Sequence, residues 1–217
     1  MQKRLAESTK ARPQSYKTVL VLDLEATCLQ NSRIKPQEII EIACMAVRLD
    51  REQEEESSFF EIVQPTARPR LSPFCTKLTG ITQKMVDAAD DFTTVFHNFE
   101  VWLEQFASDD KVLVATCGDW DLNSMFPRQL KLSDIEPRAS TCKLLFSQWI
   151  NVKKVFEKET KSVIVREEND LKQMLAGLGL THEGFLHSGK DDVKNIAKII
   201  PVLARLTDLG PTSTQKP

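Results

Sequence analysis

Thr18-Val-Leu-Val-Leu-Asp-Leu-Glu-Ala-Thr27 is an apolar run interrupted by two acids, Asp23 and Glu25. Its valines and leucines predict a β-strand that is buried on both faces. Side chains two residues apart on a strand project from the same face, so the two carboxylates lie about 6–7 Å apart. Buried carboxylates require protonation, hydrogen bonds or a cation, and paired oxygen ligands suit Mg²⁺ or Mn²⁺. The stretch therefore favours a metal site, and the alternative is a chance pair of surface acids.

The composition is that of one globular domain, with 217 residues of which 41% are hydrophobic. The net charge of −2 and the pI near 6.0 argue against capture of nucleic acid by bulk positive charge, but not against a local basic groove. Five cysteines without C-x-x-C spacing predict reduced thiols. Because no apolar run is long enough to span a membrane and no signal peptide is apparent, we expect an intracellular protein, cytoplasmic or nuclear, with no membrane partner.

Composition also predicts the boundaries of the folded part. Residues 1–16 carry four basic residues and one acid, and they are predicted to be a flexible basic arm; contact with nucleic-acid phosphates is the alternative. Residues 17–209 are predicted to form the domain. Residues 210–217 are rich in Pro, Thr, Ser and Gly and are predicted to be a disordered tail.

The pattern of apolar residues within the domain predicts three strands, followed by helices that alternate with a further strand. The first strand and those at 36–47 and 58–64 predict an antiparallel meander, with the charged residues 51–56 at a hairpin tip. Residues 65–82 are predicted to be mostly loop, and Pro127 to interrupt the helix that begins at Leu122. Residues 111–116 are predicted as strand, and helices are expected at 92–106, 141–156, 171–178 and 191–206. The order indicates an α/β domain with a mixed sheet and helices on its faces.

Three separate segments carry acids or a histidine where loops leave strands or open helices. They are Asp23 with Glu25, then Asp121 after the apolar strand, and then His187 with Asp191 and Asp192 at the start of the last helix. Taken singly, Asp121, Asp191 and Asp192 are explained as readily by helix capping, and His187 by a structural hydrogen bond. Together they suit two divalent ions about 3.5–4 Å apart, with the histidine as a general base.

The amino-acid sequences of these segments resemble the motifs of DEDDh three-prime-to-five-prime exonucleases of the Eri-type subgroup. The resemblance covers roughly residues 18–206. It is carried by Leu22-Asp-Leu-Glu-Ala-Thr-Cys28, Pro36-Gln-Glu-Ile-Ile-Glu41, Phe74-Cys-Thr-Lys-Leu-Thr-Gly-Ile81, Cys117-Gly-Asp-Trp-Asp121 and His187-Ser-Gly-Lys-Asp-Asp-Val-Lys-Asn-Ile196.

The resemblance implies a ribonuclease H-like α/β fold, with a mixed five-stranded sheet flanked by helices on both faces. It implies removal of single nucleotides from 3′ ends of RNA, with DNA as a second candidate, and release of nucleoside 5′-monophosphates. Two Mg²⁺ or Mn²⁺ ions are implied as cofactors. The implied metal-binding acids are Asp23, Glu25, Asp121 and Asp192, and the implied general base is His187.

The resemblance also indicates where the terminal nucleotide binds. Ala26, Thr27, Leu78 and Thr79 match segments that hold it in relatives. Trp120 and Leu122 are further candidates for contact with the base, and the alternative for all six is ordinary packing. A second hypothesis for the whole chain is a non-catalytic nucleic-acid or protein-binding module on the same fold. That hypothesis predicts loss of an acid or of His187, and none is missing.

Overall fold

A six-stranded mixed sheet forms the centre of the computed structural model, which describes residues 12–50, 57–165 and 169–214. The strands are β1 (Thr18–Ala26), β2 (Ile39–Arg48), β3 (Ser58–Ile62), β4 (Val112–Thr116), β5 (Gln148–Asn151) and β6 (Ser213–Thr214), in the spatial order β3-β2-β1-β4-β5-β6. β1 to β3 form the predicted antiparallel meander, whereas β4 pairs parallel with both β1 and β5. The predicted α/β fold with a mixed sheet is confirmed.

The helices surround this sheet in the order of the chain. They are α1 (Pro73–Thr79), α2 (Gln83–Asp87), α3 (Phe92–Leu103), α4 (Phe126–Leu132), α5 (Ala139–Thr141), α6 (Val152–Thr160), α7 (Asp170–Gly177) and α8 (Gly189–Leu206). A 3₁₀ turn, Glu104–Phe106, extends α3, and π-helical turns at Asp121–Met125 and Cys142–Phe146 precede β5. None of the described helices combines the length and hydrophobicity needed to cross a bilayer.

β1 separates two apolar layers, because its alternate side chains point to opposite faces. Leu20, Leu22 and Leu24 pack with the aromatic side chains of α3. Val19 and Val21 pack on the other face with α8. Asp23 and Glu25 continue the series of Val19 and Val21, so they lie on the face that α8 covers.

The predicted helix over residues 141–156 is wrong. Its middle is the strand β5, in which Trp149 and Ile150 are buried beside Val114 and Ala115 of β4. The side chain of Asn151 then accepts a hydrogen bond from the amide of Lys154 and caps the new helix α6. Four residues of strand are too few to show an alternating pattern, and pairing with β4 overrides helical spacing.

The sheet also has one strand more than predicted, and this strand lies in the predicted disordered tail. Ser213 and Thr214 pair with Trp149 and Gln148, and the hydroxyl of Thr212 accepts a hydrogen bond from the amide of Asn151 at 2.7 Å. The exposed edge of β5 thus orders the tail as far as residue 214. Residues 1–11 of the predicted arm, the predicted hairpin tip at 51–56 and residues 215–217 lie outside the described part of the chain.

Two proline-containing segments are helical where a loop or a break was predicted. Pro73 begins α1, because the side chain of Ser72 accepts the amide of Cys75 and caps the helix. Pro127 lies in the first turn of α4, where the missing amide costs little, so the π turn Asp121–Met125 leads directly into that helix.

Candidate active site

Asp23 and Glu25 lie in the second half of β1, where the strand leaves its parallel neighbour β4. Glu25 is buried and stands directly opposite Glu41 of β2 in the antiparallel register. The strand period predicted from sequence therefore brings the two carboxylates of β1 to one face, under the first turn of α8.

Asp121 reaches the same place from β4. The chain leaves β4 at Thr116, and Asp121 opens the π turn that follows. Its carboxylate is buried, and the backbone amide of Leu24 donates a hydrogen bond to its Oδ1 atom at 3.2 Å. Because Leu24 separates Asp23 from Glu25, this bond fixes Asp121 beside both acids of β1.

His187 and Asp192 come from the start of α8. The backbone amide of His187 donates to Oδ2 of Asp192 at 3.0 Å, and His187 adopts a left-handed backbone with φ of 60°. Ligand atoms of Glu25, His187 and Asp192 all lie within 4.8 Å of one another. The structure thus brings together all five residues that the sequence predicts for the catalytic centre.

The acids of this centre repel one another because they share a buried space. Burial, and then the charges of Asp121 and Glu25, raise the pKa of Asp23 well above its usual value. Burial, followed by the charges of Asp192 and Glu41, raises the pKa of Glu25 to about 9. Burial also raises the pKa of Asp121 and that of Asp192 to about 6. The site therefore holds more negative charge than its own residues neutralise.

A divalent cation fits this donor set. Oδ1 of Asp192 is buried and has no hydrogen-bond partner among the described residues, so the atom is available as a ligand. It lies in the cluster that includes Glu25, while the raised pKa of Asp23 reports its nearness to the same charges. Carboxylate oxygens are the ligands that hard cations such as Mg²⁺ and Mn²⁺ prefer.

Glu41 is a site residue that our sequence analysis missed. Its carboxylate is buried and accepts the backbone amide of Gly189 at 2.9 Å and also that of Lys190. Ser188, at the N-cap position of α8, makes no capping side-chain bond, so a residue of β2 caps this helix instead. An acid in the otherwise apolar run 39–47 was a signal of the same kind as Asp23.

The predicted contacts with the terminal nucleotide differ in accessibility. Trp120 is 41% exposed and Leu78 is partly exposed, so both have surface to offer. Thr27 and Thr79 are buried, and their hydroxyls form hydrogen bonds with the backbone. The hydroxyl of Thr27 accepts from the amide of Glu38, and that of Thr79 donates to the carbonyl of Cys75. Leu122 has no exposed surface and packs in the core, which agrees with the alternative of ordinary packing; Ala26 is also buried.

The chain is similar to known exonucleases over most of its length. The profile of the RNase_T family, described as exonuclease, matches residues 20–200. ERI1 exoribonuclease 3 of Homo sapiens is 43% identical over 195 residues, which are 88% of this chain and 55% of that protein. The 3′-5′ exonuclease Snipper of Drosophila melanogaster is 28% identical over 94% of this chain and 75% of its own length. The chain thus spans about half the length of the mammalian relative.

Solved nuclease structures are also similar to this chain. The nuclease domain of 3′hExo, a DEDDh family member bound to rAMP, superposes with a TM-score of 0.81 at 30% identity, covering 92% of this chain and 98% of that domain. Cell-death related nuclease 4 superposes with a TM-score of 0.77 at 28% identity, covering 93% of this chain and 68% of that structure.

The crowded acids predict how stability responds to pH and to metal. In the metal-free protein the folded state binds more protons, since the pKa values of Glu25, Asp121 and Asp192 are raised. The free energy of unfolding is therefore greater at low pH. The contribution of these groups is lost as the pH rises through about 6 for Asp121 and Asp192 and about 9 for Glu25. We expect the Tm in chelator to fall between pH 5.5 and 9, and Mg²⁺ to raise it by several degrees, more at pH 8.5 than at pH 6.

The control for this measurement is Glu25→Gln/Asp192→Asn, at matched ionic strength. It should raise the metal-free Tm at pH 8.5 and weaken the effect of Mg²⁺. An equal Mg²⁺ effect in the variant and the wild type would contradict the assignment.

The close approach of Gly189 to β2 predicts a second effect. A Cβ atom at this position would lie 2.9 Å from Oε2 of Glu41 and 3.1 Å from Cβ of Ala43. Gly189→Ala should displace the first turn of α8 and lower the free energy of unfolding by about 1–3 kcal/mol. Because Asp192 moves with that turn, the Mg²⁺-induced rise in Tm should shrink. Gly210→Ala is the matched control, since nothing lies within 4 Å of its added Cβ; comparable losses in both variants would refute the argument.

Proposed function

This chain belongs to the RNase_T exonuclease family, and we propose that it is a metal-dependent 3′-5′ exonuclease that acts on single-stranded or overhanging 3′ ends of RNA. The observation that carries the proposal is the convergence of Asp23, Glu25, Asp121 and Asp192 with His187 in one pocket. These residues come from β1, from the turn after β4 and from the start of α8. Structural packing alone gives no reason to bury four mutually repelling carboxylates together.

In the proposed reaction the four carboxylates would hold two divalent cations, Mg²⁺ or Mn²⁺. When bound, such ions activate a water molecule and stabilise the leaving oxygen of a phosphodiester. Water loses a proton and adds to phosphorus, the bond to the 3′ oxygen of the preceding nucleotide breaks, that oxygen takes up a proton, and a nucleoside 5′-monophosphate is released. The fold fixes the positions of the four carboxylates. Strand register holds Asp23 and Glu25, and backbone amides hold Asp121 and Asp192.

His187 is the proposed general base. Burial lowers its pKa below the usual value of 6.5, so the ring is neutral and able to accept a proton at neutral pH. The ring lies within 4.8 Å of carboxylate oxygens of Glu25 and Asp192, which is within reach of a water held between them. The hydrogen bond from its own backbone amide to Asp192 ties the base to the metal-binding acid.

RNA is the proposed substrate class because of the relatives. ERI1 exoribonuclease 3 is named as acting on RNA, and the nuclease domain of 3′hExo was solved with rAMP. Snipper, however, is named only as an exonuclease, so DNA stays the second candidate. Trp120 is 41% exposed and directly precedes Asp121, and the partly exposed Leu78 lines a cleft together with His187, so both offer apolar surface to an unpaired base.

Chelation and a single isosteric change test whether the site is catalytic. We expect 5′-labelled single-stranded RNA to shorten from its 3′ end in Mg²⁺ and to stay intact in chelator. Asp23→Asn should abolish cleavage because it removes one charged ligand. Asp91→Asn is the control, since asparagine also caps α3, whose N-cap is Asp91. Cleavage in chelator, or by Asp23→Asn, would instead favour a non-catalytic binding module contaminated by another nuclease.

The role of His187 predicts a pH profile. A base must be deprotonated to act, so the rate should fall as pH drops through a pKa below 6.5. His187→Ala should slow cleavage by about 10²–10⁴-fold and remove that acidic limb. His97→Ala, at an exposed histidine of α3, should leave rate and profile unchanged. A full rate in His187→Ala would exclude the proposed role.

A further inference from the structure

We propose that a basic groove beside Trp120 binds the phosphates of the single-stranded RNA that precedes the 3′-terminal nucleotide. We define this Trp120 groove by Arg33, Lys35, Arg128 and Lys131, which line it together with Trp120. The proposal rests on the proposed exonuclease function and adds the path of the substrate to it.

The Trp120 groove opens next to the acids. It is a cleft of about 1130 Å³ between the loop that follows β1 and the helix α4. Cys28, which lines it, follows Glu25 by three residues, and Trp120 directly precedes Asp121. The cleft thus adjoins the segments that carry Glu25 and Asp121, and the proposed path of the RNA runs from these acids into it.

The charge of the Trp120 groove is of one sign. Its described lining residues include four cations and no carboxylate, although the chain as a whole carries a net charge of −2. All four cations are exposed, and none forms an ion pair with another described residue. Unpaired arginines and lysines facing one cleft suit a polyanion, because each phosphate contact releases counterions.

Apolar surface lies between these cations. Trp120 is 41% exposed, Leu132 is 43% exposed and Leu29 is 38% exposed, and all three line the cleft. Large apolar side chains in water are costly unless a partner covers them. Unpaired bases present faces that stack on such side chains, whereas a duplex hides its base faces. The combination therefore favours a single strand over a duplex.

A second groove, which His187 lines, is smaller and suits the terminal nucleotide. It measures about 670 Å³ and is lined by Leu78, Phe185 and His187, among others. A volume of this size is typical of a pocket for one small ligand. The RNA that remains after cleavage carries a phosphate for each nucleotide, so it suits the larger Trp120 groove with its four cations.

The experiment compares two pairs of lysine or arginine removals. Arg128→Ala/Lys131→Ala removes two cations of α4, and Lys17→Ala/Lys111→Ala removes two exposed cations where β1 and β4 begin, at the opposite end of the sheet from Asp23. We measure kcat/KM for a ten-nucleotide RNA and for a dinucleotide. For the α4 variant the ratio of the two values should fall about tenfold, and the salt dependence of log kcat/KM for the longer RNA should flatten by about 1.4. The control pair should keep the wild-type ratio and slope.

Fluorescence anisotropy of the labelled ten-nucleotide RNA in chelator separates this proposal from the proposed function. Suppose that the wild type cleaves no RNA in Mg²⁺ but binds it in chelator, and that the α4 variant binds about tenfold more weakly than the control pair. The groove proposal is then supported, although the exonuclease proposal fails. Equal affinity in all three proteins would overturn the groove. So would a loss of affinity for blunt duplex alone, since it would assign these cations to a second strand.

Discussion

Mutual repulsion between buried carboxylates is the constraint on which this structure depends. Burial, and then the charges of neighbouring carboxylates, raise the pKa values of Asp23 and Glu25, because the turn after β4 and the start of α8 bring Asp121 and Asp192 beside the end of β1. An arrangement of this kind persists only if the surrounding fold holds it and if cations neutralise it when the protein works. The core layers on both faces of β1 supply the rigid support.

Backbone amides hold the acids in position. The amide of Leu24 binds Asp121, that of His187 binds Asp192, and that of Gly189 binds Glu41. The last contact matters most for α8, since it replaces the side-chain cap that Ser188 does not provide. Glu41 therefore joins the helix that carries Asp192 to the strand next to Glu25. We regard Glu41 as a positioning residue of the site rather than as an additional metal ligand.

Much of this site could be predicted from the sequence, for physical reasons. Burying an acid in a strand that is covered on both faces costs free energy, so Asp23 and Glu25 could be recognised as functional candidates. Their separation of two residues placed them on one face. The resemblance to the DEDDh exonuclease motifs assigned Asp121, His187 and Asp192 to the same site. Glu41 escaped notice because its role depends on how α8 docks on β2. β5 and β6 were not predicted because so short a strand takes its conformation from its partners, and the burial of Leu122 depends on how the π turn packs.

Anomalous diffraction from crystals grown with Mn²⁺ and adenosine 5′-monophosphate tests the central claim most directly. The account predicts two manganese peaks about 3.5–4 Å apart, coordinated by carboxylate oxygens of Asp23, Glu25, Asp121 and Asp192 and by the phosphate. His187 should lie beside the metal-bound phosphate without replacing a carboxylate ligand. Manganese bound elsewhere on the surface, with these four carboxylates protonated and free of metal, would contradict the account.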